Sequence, residues 1–108
     1  MSTNNRVGPV IVSHPIARAC LESAGTVFSF RQSDRTTGET HYRYERTGCK
    51  QGDVTISQVS EHTEPTPEAL EQYVILSGFS DVDEWREAIQ DVHGDLSAGY
   101  VYRIEMLD

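Results

Sequence analysis

Two groups of side chains have the types and spacing to hold a ligand. Ser29 and Arg31 fall two apart in Thr26-Val27-Phe28-Ser29-Phe30-Arg31, so in an extended strand they share one face while Phe28 and Phe30 take the other. Arg31 there is a planar donor fork that suits a phosphate or a base edge. The structural alternative is a strand-end arginine paired with a nearby carboxylate. Arg43, Arg46 and Lys50 form the second group, with Tyr42 and Tyr44 interleaved. Basic and aromatic side chains at alternate positions can grip a backbone and stack a base. Period-2 alternation, however, turns Arg43 away from Tyr42, Tyr44 and Arg46, so the five make no single surface. A solvated strand carrying two barrel tyrosines is the preferred reading of this group.

Catalytic and metal patterns are missing. The chain has no Gly-rich phosphate loop, Ser-His-Asp set or plausible Cys-His pair, so no residue is assigned a catalytic role. His14, His41, His62 and His93 are scattered, and His41 with Cys49 lacks a second close pair to complete a zinc site. Neither a metal nor a cofactor is expected. Cys20 and Cys49 are too few for a disulfide framework and are expected to stay reduced. The carboxylates Asp81, Asp83, Glu84, Glu87, Asp91 and Asp95 lack calcium-loop spacing and read as a solvated helix face.

Charge narrows the choice of partner. The 108 residues carry a formal −8, with 24% charged and 37% hydrophobic side chains, a composition that folds as one domain. Residues 1–60 hold seven basic against five acidic groups, a local +2; residues 61–108 hold two against twelve, a local −10. Eight of the nine basic residues are arginine. An acidic surface with a single lysine suits a salt-rich cytosol, so a halophilic, archaeal source is expected, with an ordinary acidic protein as the alternative. The total charge argues against simple polyanion binding, while the first half leaves room for a basic patch. The acidic second half admits a basic protein partner. No apolar run reaches the ~20 residues of a membrane span, and Met1-Ser2-Thr3-Asn4-Asn5-Arg6 lacks a signal-peptide core. No membrane contact and a cytoplasmic location are therefore expected.

The elements that must position these side chains follow from periodicity. Val10-Ile11-Val12 reads as a strand. Ser13 is the expected cap of a helix over roughly 14–24, with Pro15 in its first turn and Gly25 as its stop. Strands are expected at 26–31, 39–46 and 53–60, with a polar loop at 32–38 and a turn at 47–52. Thr66-Pro67-Glu68 starts a short helix, and Ser80 is the expected cap of another whose stripe includes Val82, Trp85 and Ile89. Trp85 reads as core, and Ser77-Gly78-Phe79 as the turn between the helices. Residues 99–107 form a nearly continuous apolar strand, hence central or barrel-closing. About five strands and two to three short helices make one α+β domain over 1–108, a closed or half-closed barrel with a flexible segment at 1–8.

Four segments in order resemble the ASCH domain, a family of the PUA-like superfamily of small β-barrels. They are Gly25-Thr26-Val27-Phe28-Ser29-Phe30-Arg31, Lys50-Gln51-Gly52-Asp53-Val54-Thr55-Ile56, Leu76-Ser77-Gly78-Phe79-Ser80-Asp81-Val82-Asp83-Glu84-Trp85, and Tyr100-Val101-Tyr102-Arg103-Ile104. The resemblance spans about residues 14–107. It implies a module that binds RNA or a nucleotide in a cleft beside the barrel, with Thr26, Ser29, Arg31, Arg46, Lys50 and Ser77 as ligand-binding residues. Some small members remove an acyl group from acetylated cytidine, using a lysine, a threonine and a glutamate. Those positions hold Thr26, Ser29 and Ser77 here. Without the lysine and the glutamate, the nucleophile has no electrostatic partner and the reaction no general base. The resemblance therefore implies a binding module without that activity. The alternatives are a small amidohydrolase acting on an acylated nucleoside and an acidic protein-interaction module.

Overall fold

The computed structural model describes residues 8–32 and 35–107; the segment expected to be flexible, 1–8, lies outside them except for Gly8. Five strands build one sheet: β1 (Val10–Ile11), β2 (Thr26–Arg31), β3 (Gly38–Arg43), β4 (Lys50–Thr63) and β5 (Gly99–Met106). Three helices flank it, α1 (Pro15–Ala24), α2 (Pro67–Glu71) and α3 (Val82–His93), with a 3-10 turn at Val74–Leu76. The strand order is β1-β3-β4-β5-β2. All pairings are antiparallel except β1 with β3. The apolar run of β5 is explained by its place between β4 and β2, where both edges are paired and both faces covered. The sheet curls into a half-barrel, and the two strands that would have to meet to close it are β1 and β2.

Local chemistry sets the helix ends. α1 is capped by His14 and not by Ser13: the His14 Nδ1 accepts from the Ile16 N–H at 3.2 Å. α3 is capped by Asp81, one residue past Ser80. The Asp81 carboxylate accepts from the Glu84 N–H at 2.8 Å, and Glu84 reaches back to accept from the Ser80 N–H at 3.0 Å, a reciprocal cap. Both helices end on a left-handed glycine, Gly25 and Gly94, where a side chain would be strained.

Two strands differ from expectation. β3 stops at Arg43 because the register slips between Tyr42 and Arg43, which leaves Tyr44, Glu45 and Arg46 in the following turn. β4 starts at Lys50, three residues before Asp53, and runs on to Thr63. Gly52 belongs to the strand and not to the turn. A Cβ there would lie 3.1 Å from the Tyr42 ring and 3.3 Å from the Met106 methyl, so this glycine marks a close approach.

Each face of the sheet has its own core. Leu21, Val27, Ile56, Tyr102 and Ile104 pack inside the curl with α1 against them. Phe30, Leu70, Trp85, Ile89 and Val101 pack on the other face under α2 and α3. Each such side chain contributes roughly 1.5–3 kcal/mol by leaving water. β2 supplies both cores, with Val27 in one and Phe30 in the other, as its alternation requires. No helix among the described residues is long and apolar enough to cross a membrane.

Candidate functional site

β2 is an edge strand, and its free edge faces the unclosed seam. The Met106 N–H donates to the Gly25 carbonyl at 2.8 Å, which fixes the phase of the β2–β5 ladder. Val27, Ser29 and Arg31 therefore turn their backbone groups toward Ile104, Tyr102 and Tyr100 of β5. Thr26, Phe28 and Phe30 turn theirs toward the seam. The Thr26 carbonyl accepts from the Cys20 thiol at 3.5 Å, and the Phe30 carbonyl from the His93 Nε2 at 3.4 Å. Both contacts confirm the phase, and they bracket Phe28.

A cavity of about 240 Å³ occupies this seam. Ile11, Ser13 and His14 come from the β1–α1 side; Val27, Ser29 and Arg31 come from the inner face of β2. Phe28, Phe30, Phe79 and Trp85 supply aromatic walls, and Ile89 and His93 of α3 complete the far side. Residues from both faces of β2 line one cavity, so the cavity passes along the strand's free edge. Its volume lies below the roughly 300–1,000 Å³ of drug-sized sites. One ring with a substituent fits; a length of chain does not.

Arg31 is the charged group of the cavity. Its Nη2 donates to the Ile11 carbonyl at 3.2 Å, which bridges β2 to β1 across the seam. Its Nε is buried and has no partner among the described residues. No carboxylate among those residues pairs with it; the neighbouring charge is Arg35, which repels it. Burial first, and Arg35 second, lower the Arg31 pKa to about 10. Arg35 spends its donors on backbone: Nη2 on the Gly8 carbonyl at 2.8 Å and Nε on the Thr36 carbonyl at 3.1 Å. A desolvated guanidinium held by one carbonyl, with donors left over, is arranged to take an anion or a polar ring substituent.

No protein-family model matches the chain, and neither the curated proteins nor the solved structures give a match. The likeness to the ASCH domain rests on its four sequence segments.

Of the six ligand-binding residues expected, Ser29 and Arg31 share the cavity. Thr26 lies at the opposite end of β2, its hydroxyl buried without a partner among the described residues. Lys50 sits at the start of β4 and pairs with Asp53 at 2.9 Å, both side chains about half exposed. Thr26 and Thr55 both pair with Glu105, so along the ladder Lys50 lies five residues (55 − 50) one way from this row and Arg31 five (31 − 26) the other. At ~3.3 Å per residue that separation is far beyond any side chain's reach. Arg46 is exposed in the turn after β3. Ser77 is fully buried, and its hydroxyl donates to the Val74 carbonyl at 2.7 Å and accepts from the Phe79 N–H at 3.1 Å. It holds its own turn.

Sequence reasoning did not assign Trp85, His14, His93 or the Ile11 carbonyl to a site. One signal was present: Trp85, Ile89 and His93 recur at i, i+4 and i+8, one stripe of α3, so a histidine shares the face of the tryptophan. Among the described residues no group of three or more His, Cys, Asp or Glu is placed to hold a metal ion.

Proposed function

We propose that this chain is a non-enzymatic binding module of the ASCH type that holds a nucleotide, free or at the end of an RNA, in the seam cavity. One observation carries the reading: a buried guanidinium with no carboxylate partner among the described residues stands at the rim of a cavity walled by aromatic rings. Aromatic walls take the flat ring, Arg31 takes the phosphate or a polar ring substituent, and Ser29 adds a hydroxyl. Thr26 and Ser77, at the positions where enzymatic members carry lysine and glutamate, lie outside the cavity lining, which supports binding over hydrolysis. In the salt-rich cytoplasm that the acidic composition suits, phosphate contacts weaken steeply. Ring burial then carries more of the affinity than charge.

Trp85 is the sole tryptophan and lines the cavity, so its fluorescence reports occupancy directly. Nucleosides, mononucleotides and short single-stranded RNA are titrated at low and high salt into wild type and Arg31→Met. A saturable signal is expected, weakened about tenfold or more by Arg31→Met, since a charge-assisted hydrogen bond contributes roughly 1.5–3 kcal/mol. No response to any probe, or equal affinity of the two proteins, would overturn the reading.

A further inference from the structure

The backbone of β2 supplies recognition that no side chain provides. Phe28 lies between Thr26 and Phe30, whose carbonyls point into the seam toward Cys20 and His93. By alternation the Phe28 N–H and C=O point the same way, away from Arg103, its β5 neighbour. β1 does not pair with β2, so among the described residues no strand matches this donor and acceptor where β2 borders the cavity. Backbone donors and acceptors left out of a ladder are matched by water, a side chain or a ligand. Here the occupant of the cavity is placed to do so.

We infer that the Phe28 N–H and C=O read the edge of a flat heterocycle that carries a hydrogen-bond donor beside an acceptor, the pattern of a nucleobase edge. The inference rests on the proposed nucleotide-binding role and adds how the ring is recognised. The ring enters edge-first along β2, as a partner strand would. Its acceptor takes the Phe28 N–H, and its N–H donates to the Phe28 carbonyl. Phe28, Phe30, Phe79 and Trp85 enclose its faces, and the Arg31 guanidinium, at the C-terminal end of the same strand, meets the anionic substituent. An aromatic carboxylate lacking the paired edge would leave both backbone groups unmatched. A site built to bond such an edge rejects analogues that lack it far more strongly than it rejects a change of size.

The test compares matched nucleotides on the full chain. Uridine 5′-monophosphate is set against its 3-methyl derivative, and adenosine 5′-monophosphate against its N6,N6-dimethyl derivative. Each modification removes the donor of the edge and keeps the ring and the phosphate. Trp85 fluorescence gives the affinities, and the ¹⁵N–¹H signal of Phe28 shows whether that amide is bonded. The parent that binds better is expected to exceed its methylated partner by about tenfold or more, and to shift the Phe28 amide where inorganic phosphate does not. Equal affinity within each pair, with Arg31→Met still weakening binding, would overturn edge reading and leave the nucleotide site standing. Binding by none of the four would remove the proposed function and this inference together.

Discussion

Two polar clusters, one between α1 and β3 and one in the seam between β2 and β1, differ in how their charge is held. On the α1–β3 side the Glu22 carboxylate accepts from the Tyr42 hydroxyl at 2.7 Å and from the Tyr44 hydroxyl at 2.5 Å, on one oxygen. The Arg18 guanidinium stacks 4.0 Å above the Tyr44 ring. Bonds from Tyr44 and then Tyr42 hold the Glu22 carboxyl below its ordinary range. Both tyrosines are raised in turn, Tyr42 chiefly by burial and Tyr44 chiefly by its bond to Glu22. The carboxylate and both hydroxyls are matched within the chain, although the Arg18 Nε, like that of Arg31, has no hydrogen-bond partner among the described residues. In the seam, Arg31 has one carbonyl, a repelling arginine and no described carboxylate. A closed network stabilises a fold; an open one is complete only with something added. The difference separates an anchor for α1 from the proposed site.

The largest effect comes from damaging the open side at its backbone. A Cβ at Gly99 would lie 2.4 Å from the Arg31 carbonyl oxygen and 2.9 Å from the Phe30 ring, so Gly99→Ala must push β2 off β5. Overpacking of this kind costs about 3 kcal/mol or more, and thermal melting should show a drop of over ten degrees. Melting close to that of wild type would contradict the close approach. Next comes the closed side. Glu22→Ala leaves the hydroxyl of the buried Tyr42 unmatched, at a cost of roughly 1–3 kcal/mol. Denaturant unfolding should register that loss, while nucleotide affinity stays within twofold. Tyr44→Phe, which keeps the stack with Arg18 and the Tyr42 bond, should cost less in the same measurement, because its hydroxyl is exposed.

Titration distinguishes the clusters by which form folding favours: the charged form of Glu22 is favoured and that of Arg31 is penalised, so stability rises with pH in two separate windows. Glu22 has a lowered pKa in the folded chain. Its contribution is present above its ordinary 4.5 and is lost as pH falls through the folded value. Glu22→Gln should therefore flatten part of the acid limb of the stability curve. Arg31 is lowered from 12.5 to about 10, so its charged form is disfavoured by folding. That cost is present below pH 10 and is relieved as pH rises toward 12.5. Between these values wild type should gain stability relative to Arg31→Met, and a parallel decline of both proteins would contradict the unpaired guanidinium.

Much of the fold was legible because it depends on local pattern. β2 runs from Thr26 to Arg31 as its alternation indicates, and the Val27 and Phe28–Phe30 faces separate into the two cores. The central place of β5 followed from its apolar run. The candidate site was legible only where its residues share one strand: Ser29 and Arg31, which line one cavity, are neighbours by period, whatever the rest of the chain does. Thr26, Arg46, Lys50 and Ser77 were joined to them across elements, and that step depends on strand register, which composition does not encode. The shear that places Thr55, and not Lys50, in the row of Thr26 comes from pairing with Glu105. Strand ends were obscured by glycine and capping: Gly52 read as a turn residue although it makes room for the Tyr42 ring, and His14 took the capping place before Pro15. A half-closed barrel was among the expectations, but which strands border the opening was not, because that is the absence of a pairing between β1 and β2.

The most direct test measures nucleotide affinity by Trp85 fluorescence and stability by denaturant unfolding in both Arg31→Met and Glu22→Ala. The open-site account predicts a crossed result. Arg31→Met should bind about tenfold or more weakly with stability within about 1 kcal/mol of wild type, because losing the Ile11 bond is offset by removing an unpaired buried charge. Glu22→Ala should bind normally and lose stability. If Arg31→Met instead unfolds as readily as Glu22→Ala and binds nucleotide as wild type does, Arg31 is a strut across the seam and the cavity beside it is not the site.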